Sequence, residues 1–213
     1  MNFFKMHLMG MWIRIMKFPR RCYHKQKAKR NRNHAPTIIC NNCTAGVMLH
    51  DLGLKFNTPT INLDIRNQKE FLYFVENLED FKDCSIEELS FEKYHLPAGV
   101  IIHNGHTIDI VFTHYKTFEI GVEKWHERMK RINMDNLFVI FEAPEIEKEI
   151  LERFSRIKYR KCVLSKQEQL KYDFYYGFDM YKDWKPGKFL QYKSVFSLKR
   201  YLDDFDYISF LNP

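Results

Sequence analysis

From residue 37 onward the apolar positions change spacing repeatedly, from short β-branched or continuous runs to the three-and-four spacing of a helix face. Thr37 to Cys40 reads as a short strand, Asn41 to Thr44 as a turn of capping residues, and Gly46 to Leu52 as a short helix closed by Gly53. Pro59 to Asp64 reads as the next strand. Asn67 caps a helix whose Phe71, Phe74, Val75 and Leu78 fall at i, i+3, i+4 and i+7. Three apolar runs follow, Ile86 to Phe91, Val100 to Ile102 and Ile108 to Phe112. Pro97 and the Asn104-Gly105 turn separate them and predict an antiparallel hairpin. The longest helix of this region is expected from Thr117 to Ile132, with Phe118, Val122, Trp125, Met129 and Ile132 on one stripe. After it come a strand at Leu137 to Phe141, a helix at Glu145 to Ile157, a strand at Arg160 to Leu164 and a helix at Ser194 to Leu202. The alternation predicts an α/β fold, a mostly parallel, helix-flanked sheet with an antiparallel hairpin.

Residues 3 to 18 behave differently. At helical spacing His7, Gly10, Arg14 and Lys17 share one narrow arc, and Phe3, Phe4, Leu8, Met11, Trp12, Ile15, Met16 and Phe18 cover most of the remainder, with Lys5 the exception. This is the pattern of an N-terminal amphipathic basic helix lying in a membrane interface, with a helix docked on its own domain as the alternative. His34, Ala35 and Pro36 end the segment, because Pro disfavours helix at the residue before it. The expected organisation is therefore a basic appendage over residues 1–36 and a single α/β domain over 37–213.

Charge sharpens that division. The chain of 213 residues carries a net charge of +7, yet ten of its 34 Lys and Arg lie in residues 1–36, which hold no acid. The rest is slightly acidic, with 24 cations against 27 anions. A nucleic-acid reading thus rests on the appendage alone, with no recognised motif in the body, and no nucleic-acid partner is expected. Polybasic residues each gain roughly 1 kcal/mol near an anionic leaflet, so an anionic membrane surface is the expected partner. No uninterrupted apolar run reaches the roughly 18 residues a spanning helix needs, and no cleavage pattern is present. Five cysteines form no regular framework, which favours a reducing compartment. The expected location is cytoplasmic, peripheral at the inner membrane face.

The candidate chemistry sits where predicted strands end. Cys40-Asn41-Asn42-Cys43 is a C-x-x-C at a strand-to-helix junction, where a thiol could be activated, although a Cys ending a buried strand is more often a small hydrophobe. Asn41 and Asn42 could offer amides to sugar hydroxyls or phosphate, because open α/β sheets bind ligands beyond the carboxyl ends of strands. His114 and Tyr115 follow another strand. A His can act as general base on a sugar hydroxyl, with Asp109 to orient it. The stripe Lys124, Arg128 and Arg131 could receive a diphosphate, or be an ordinary solvated face. His103 and His106 lack a third ligand, so no zinc site is expected. Neither G-x-G-x-x-G nor a P-loop is present, and Asp203-Asp204-Phe205-Asp206 is a weak metal motif.

Several of these residues lie in blocks that resemble a known family. I-I-C-N-N-C-T-A-G (Ile38–Gly46), P-T-I-N-L (Pro59–Leu63), L-P-A-G (Leu96–Gly99), D-I-V-F-T-H-Y (Asp109–Tyr115) and K-W-x-x-R-x-x-R-I-N-x-D-N (Lys124–Asn136) are similar, in this order, to the bacterial exopolysaccharide-biosynthesis family catalogued as domain of unknown function 1919. Ser is usual there at the position of Cys40, and Trp-Gly where Thr44 and Ala45 stand. The resemblance implies a role in making capsule or exopolysaccharide. It also implies a glycosyl or acyl transferase, which on these residues would act on a nucleotide-sugar or polyprenyl-linked saccharide, with His114 as base, Asp109 as its partner, and Asn41, Asn42, Tyr115, Lys124, Arg128 and Arg131 in binding. A non-catalytic assembly protein of the same machinery is the alternative.

Overall fold

A computed structural model describes residues 3–167 and 172–212, with side chains from residue 9 onward. Four strands form a parallel sheet in the order β1 (Thr37–Cys40), β5 (Leu137–Glu142), β6 (Arg160–Lys166) and β7 (Tyr175–Phe178). A separate antiparallel sheet contains β2 (Glu87–Glu88), β3 (Ala98–His103) and β4 (His106–Val111). The helices are α1 (Phe3–Arg30), α2 (Thr44–Asp51), α3 (Gln68–Glu76), α4 (Phe91–Tyr94), α5 (Phe118–Met129), α6 (Lys148–Ser155) and α7 (Tyr207–Leu211). The expected mixture of a helix-flanked parallel sheet and an antiparallel hairpin is present. The hairpin turns where the sequence indicated, because Asn104 (φ 49°) and Gly105 (φ 77°) both take the left-handed conformation that such a tight turn needs.

Strand alternation divides the core in two. Ile39, Val139, Phe141 and Val163 point to one face of the parallel sheet, where α3, α6, Trp125 of α5 and the apolar side of the small sheet cover them. Ile38, Cys40, Phe138, Ile140, Cys162 and Leu164 point to the other, under α2, α7 and the rings of Tyr181, Phe189 and Phe205. Both faces are covered, which is why these strands read as unbroken apolar runs.

Two sequence expectations fail for identifiable reasons. Residues 59–64 form turns instead of a strand, since Asn62 sits at φ 64° and breaks the extended path. Only Asp64 makes a bridge, to Val111 of β4, and Ile65 N donates to Asn41 O at 2.8 Å, so this segment ties the two sheets together. Ser194–Leu202 is no helix: the buried Arg20 guanidinium takes the carbonyls of Ser194, Val195 and Ser197, acceptors a helix would use internally. In addition, β7, short 3₁₀ turns over 179–183 and 188–190, and α7 lie on either side of that segment, where no pattern had been read.

The N-terminal helix runs past the expected residue 18, through Pro19, to Arg30. Pro removes one helical hydrogen bond, and it marks a change in environment. Before it, Met9, Met11, Trp12, Ile13, Ile15 and Phe18 are 39–75% exposed. Beyond it the helix packs on the body. His24 Nε2 lies 3.0 Å from Tyr192 Oη, and Lys27 Nζ pairs with Asp203 at 2.6 Å while standing over the Tyr207 ring. Asn212 finishes the docking: its side-chain oxygen accepts from the backbone N–H of Arg32 and Asn33, and its amide donates to Arg30 O. Residues 1–36 are thus not a free appendage along their whole length.

Candidate functional site

Parallel strands end on one edge, and at this edge the loop after β1, the end of β5 and the loop after β4 surround a cleft of about 720 Å³. Asn41, Asn42, Asp64, His114, Glu142 and Trp184 are among its walls. The cleft therefore forms where the two sheets meet.

Glu142, the last residue of β5, is its deepest charged group. It accepts from Asn42 Nδ2 at 2.9 Å and from the Thr44 hydroxyl, and the buried Tyr181 hydroxyl lies beside it. Burial raises its pKa, more than these hydrogen bonds and the neighbouring Tyr181 lower it, and the Asp64 charge adds to the rise. Asp64 is also raised, again by burial first, with Arg66 and His114 opposing the shift. Both carboxyls bind protons more readily than they would in water, and His114 lies close enough for its charge to act on Asp64. A cleft with two such acids and a histidine has groups that can donate or accept a proton near a sugar hydroxyl. The partly exposed Trp184 ring contributes an apolar wall.

The loop that holds His114 is fixed from below. Phe112 packs so closely on α5 that a Cβ at Gly121 would lie 2.6 Å from its ring, which requires glycine there. His114 N donates to Asn62 O at 3.4 Å, and Tyr115 Oη to Ile61 O at 3.0 Å.

A family model described as a domain of unknown function, DUF1919, matches residues 14–212. The chain belongs to the DUF1919 family. A Haemophilus influenzae relative described as "Uncharacterized protein" is 28% identical over 185 residues, covering 84% of this chain and 85% of that protein. The DUF1919 span takes in the docked half of α1, as the packing of that helix does.

Within this DUF1919 fold the sequence-derived candidates separate into two groups. His114, Asn41 and Asn42 share the cleft. Asp109 does not: it lies within β4, bound by Lys93 and Tyr94 from α4, and cannot orient His114. Asp64 stands nearer that histidine instead. Asn41 is no free sugar ligand either, since both ends of its amide pair with the Glu142 backbone at 2.9 Å and extend the β1–β5 ladder by one step. Asn42 holds Glu142 and caps Thr44 N at 3.0 Å. Tyr115 and Arg128 bond one another and both reach Ile61 O, while Lys124 and Arg131 are taken by Glu127. The α5 stripe therefore has its cations engaged within the fold, Arg128 in the interior and Lys124 and Arg131 by Glu127 at the surface.

The C-x-x-C gives no activated thiol. Cys40 is fully buried, with its pKa pushed up to about 12 by desolvation, and Cys43 is raised for the same reason. Both are free cysteines. Among the described residues no three His, Cys, Asp or Glu side chains converge in a way that would hold a metal. Glu142 was missed although its signal is simple: it is the polar residue directly ending an apolar strand. Trp184 lies in a stretch with no periodicity to read.

Proposed function

We propose that the DUF1919 cleft binds a saccharide and transfers a glycosyl or acyl group to or from one of its hydroxyls, in the assembly of a capsule or exopolysaccharide. The observation that supports this most is the meeting of His114, Asp64 and Glu142 in one cleft with Trp184. In this reading His114 takes the proton of the attacking hydroxyl, and the Asp64 carboxylate favours the imidazolium that forms. Glu142, held protonated more readily by burial, donates to the departing group. The exposed apolar half of α1 supports work at a membrane face, on a lipid-linked saccharide. No described helix is long and apolar enough to cross a membrane.

A second reading has its own support. Asn42 and Thr44 already satisfy Glu142, as they would in a structural knot at a sheet edge, and this favours a non-catalytic assembly protein. The discriminating experiment is polymer production in cells carrying His114→Ala at wild-type protein levels. Loss of about 100-fold is expected of a missing general base. Normal polymer from a folded variant overturns the transferase reading in favour of assembly.

A further inference from the structure

A second cavity, about 940 Å³, lies between α1 and the body, and nothing in the cleft chemistry uses it. Two rows of helix side chains flank it, an inner row facing the body, of which Arg20 and His24 line the cavity, and an outer row. The inner row is occupied: Arg20 caps three carbonyls, His24 meets Tyr192, and Lys27 pairs with Asp203. Asp51, the acid among the lining residues, is held by Arg200 at 2.8 Å. The outer row consists of Ile13, Lys17, Arg21 and Lys25, each four residues from the next and so stacked along one side of the helix. Lys17, Arg21 and Lys25 are exposed and have no hydrogen-bond or ion-pair partner among the described residues.

The surroundings of this row are apolar. Leu52, Leu190 and Val195 line the cavity. Above it the exposed side chains of residues 9–18 continue into Phe196, itself 62% exposed, whose ring meets Trp12 edge-on at 5.1 Å. Three unanswered cations at the mouth of an apolar groove, next to an apolar patch shared by a helix and a loop, fit an amphiphile with an anionic head.

We infer that the groove between α1 and the body binds the phosphate head of a prenyl-phosphate lipid. Lys17, Arg21 and Lys25 hold the phosphate oxygens, and the apolar wall with the Trp12–Phe196 patch receives the start of the chain. The choice of a lipid over free phosphate comes from the apolar wall, because exposed lysines and arginines alone hold a small anion only weakly against salt. Leu190 belongs to the walls of both the groove and the cleft. A saccharide carried on the held phosphate would therefore lie on the His114 side of that leucine. The cations and the apolar wall call for a lipid with an anionic head; the choice of a prenyl phosphate among such lipids, and this last link, rest on the reading of the cleft as a saccharide site.

The test uses the full chain and three kinds of vesicle: phosphatidylcholine alone, the same doped with a long-chain prenyl phosphate, and the same doped with phosphatidylglycerol to equal charge. Binding is expected to be tightest to prenyl phosphate. It should fall at least tenfold in the Lys17→Glu, Arg21→Glu, Lys25→Glu triple variant, whose substitutions are exposed and leave the melting curve in place, and it should resist competition by inorganic phosphate. Equal binding to the two doped vesicles, undiminished binding by the triple variant, or displacement by inorganic phosphate each overturns the proposal. His114→Ala separates the two sites: it should bind prenyl-phosphate vesicles like the unaltered chain whether or not the cleft is catalytic.

Discussion

On α5, Lys124, Arg128 and Arg131 follow a helical stripe, and on α1, Lys17, Arg21 and Lys25 follow another. From spacing alone the first was the better phosphate candidate. Its cations turn out to be consumed by Glu127, Tyr115 and Ile61 O. The second row faces outward without acids, because residues 1–36 contain none and the nearby acids Asp203 and Asp51 are held by Lys27 and Arg200. A cation is available to a ligand only where the fold offers it no nearer partner, and a net charge of +7 conceals that difference.

The contrast is most exposed at Arg128, which is buried. Arg128→Ala should cost about 2–3 kcal/mol of stability, because it removes a charged donor from Tyr115 and Ile61 O and opens space beside Phe56. Arg21→Ala should stay within about 0.5 kcal/mol. Thermal melts of the two variants decide this, and equal losses would erase the distinction between the rows.

Glu142 extends the same logic to an acid whose partners are neutral. Its pKa is raised by burial, so the fold takes up a proton there more readily than the unfolded chain does. Its contribution is therefore fullest below the ordinary glutamate pKa and is lost as pH rises through the raised value. Glu142→Gln lacks this dependence. The melting temperature of the unaltered chain, compared with that of Glu142→Gln, should fall as pH rises above the ordinary glutamate pKa. A flat or rising difference would mean the carboxyl is not desolvated.

Glu127→Gln turns one row into the other. With their partner neutralised, Lys124 and Arg131 should give the chain up to about fivefold more affinity for anionic vesicles, at a stability cost below about 1 kcal/mol. Co-sedimentation at low salt measures it; no gain would show that position on the molecule matters more than pairing. The smallest effect is expected for Lys124→Gln, within about 0.5 kcal/mol in melts and without change in vesicle binding, since its exposed pair with Glu127 contributes little.

Those residues also mark the limits of reading the sequence. The parallel strands β1, β5 and β6, the hairpin and the cap at Asn67 were legible because each depends on neighbours within a few residues. His114 and the Asn41-Asn42 loop do share a cleft, but β4 belongs to the antiparallel sheet, so they meet through the junction of two sheets and not along one parallel edge. The roles of Asp109 and Asp64 were not legible, as they depend on which way a strand residue faces and on a bridge from Asp64 to Val111 between distant segments. Residues 184–204 were illegible for another reason. Their backbone is held by Arg20 and Arg200 side chains, not by a repeating ladder, so it leaves no true period, and the helical pattern read at Ser194–Leu202 misled.

The Asn212 clasp has a consequence in time. It joins residues 180 positions apart, and Arg20 and Lys27 likewise land on residues 194–203. As the chain emerges from the ribosome, α1 is made about 170 residues before its landing surface. Contacts so distant in sequence form late. For most of synthesis the helix therefore waits undocked with its apolar residues uncovered, and a lipid surface can meet it before the groove it will help to build exists.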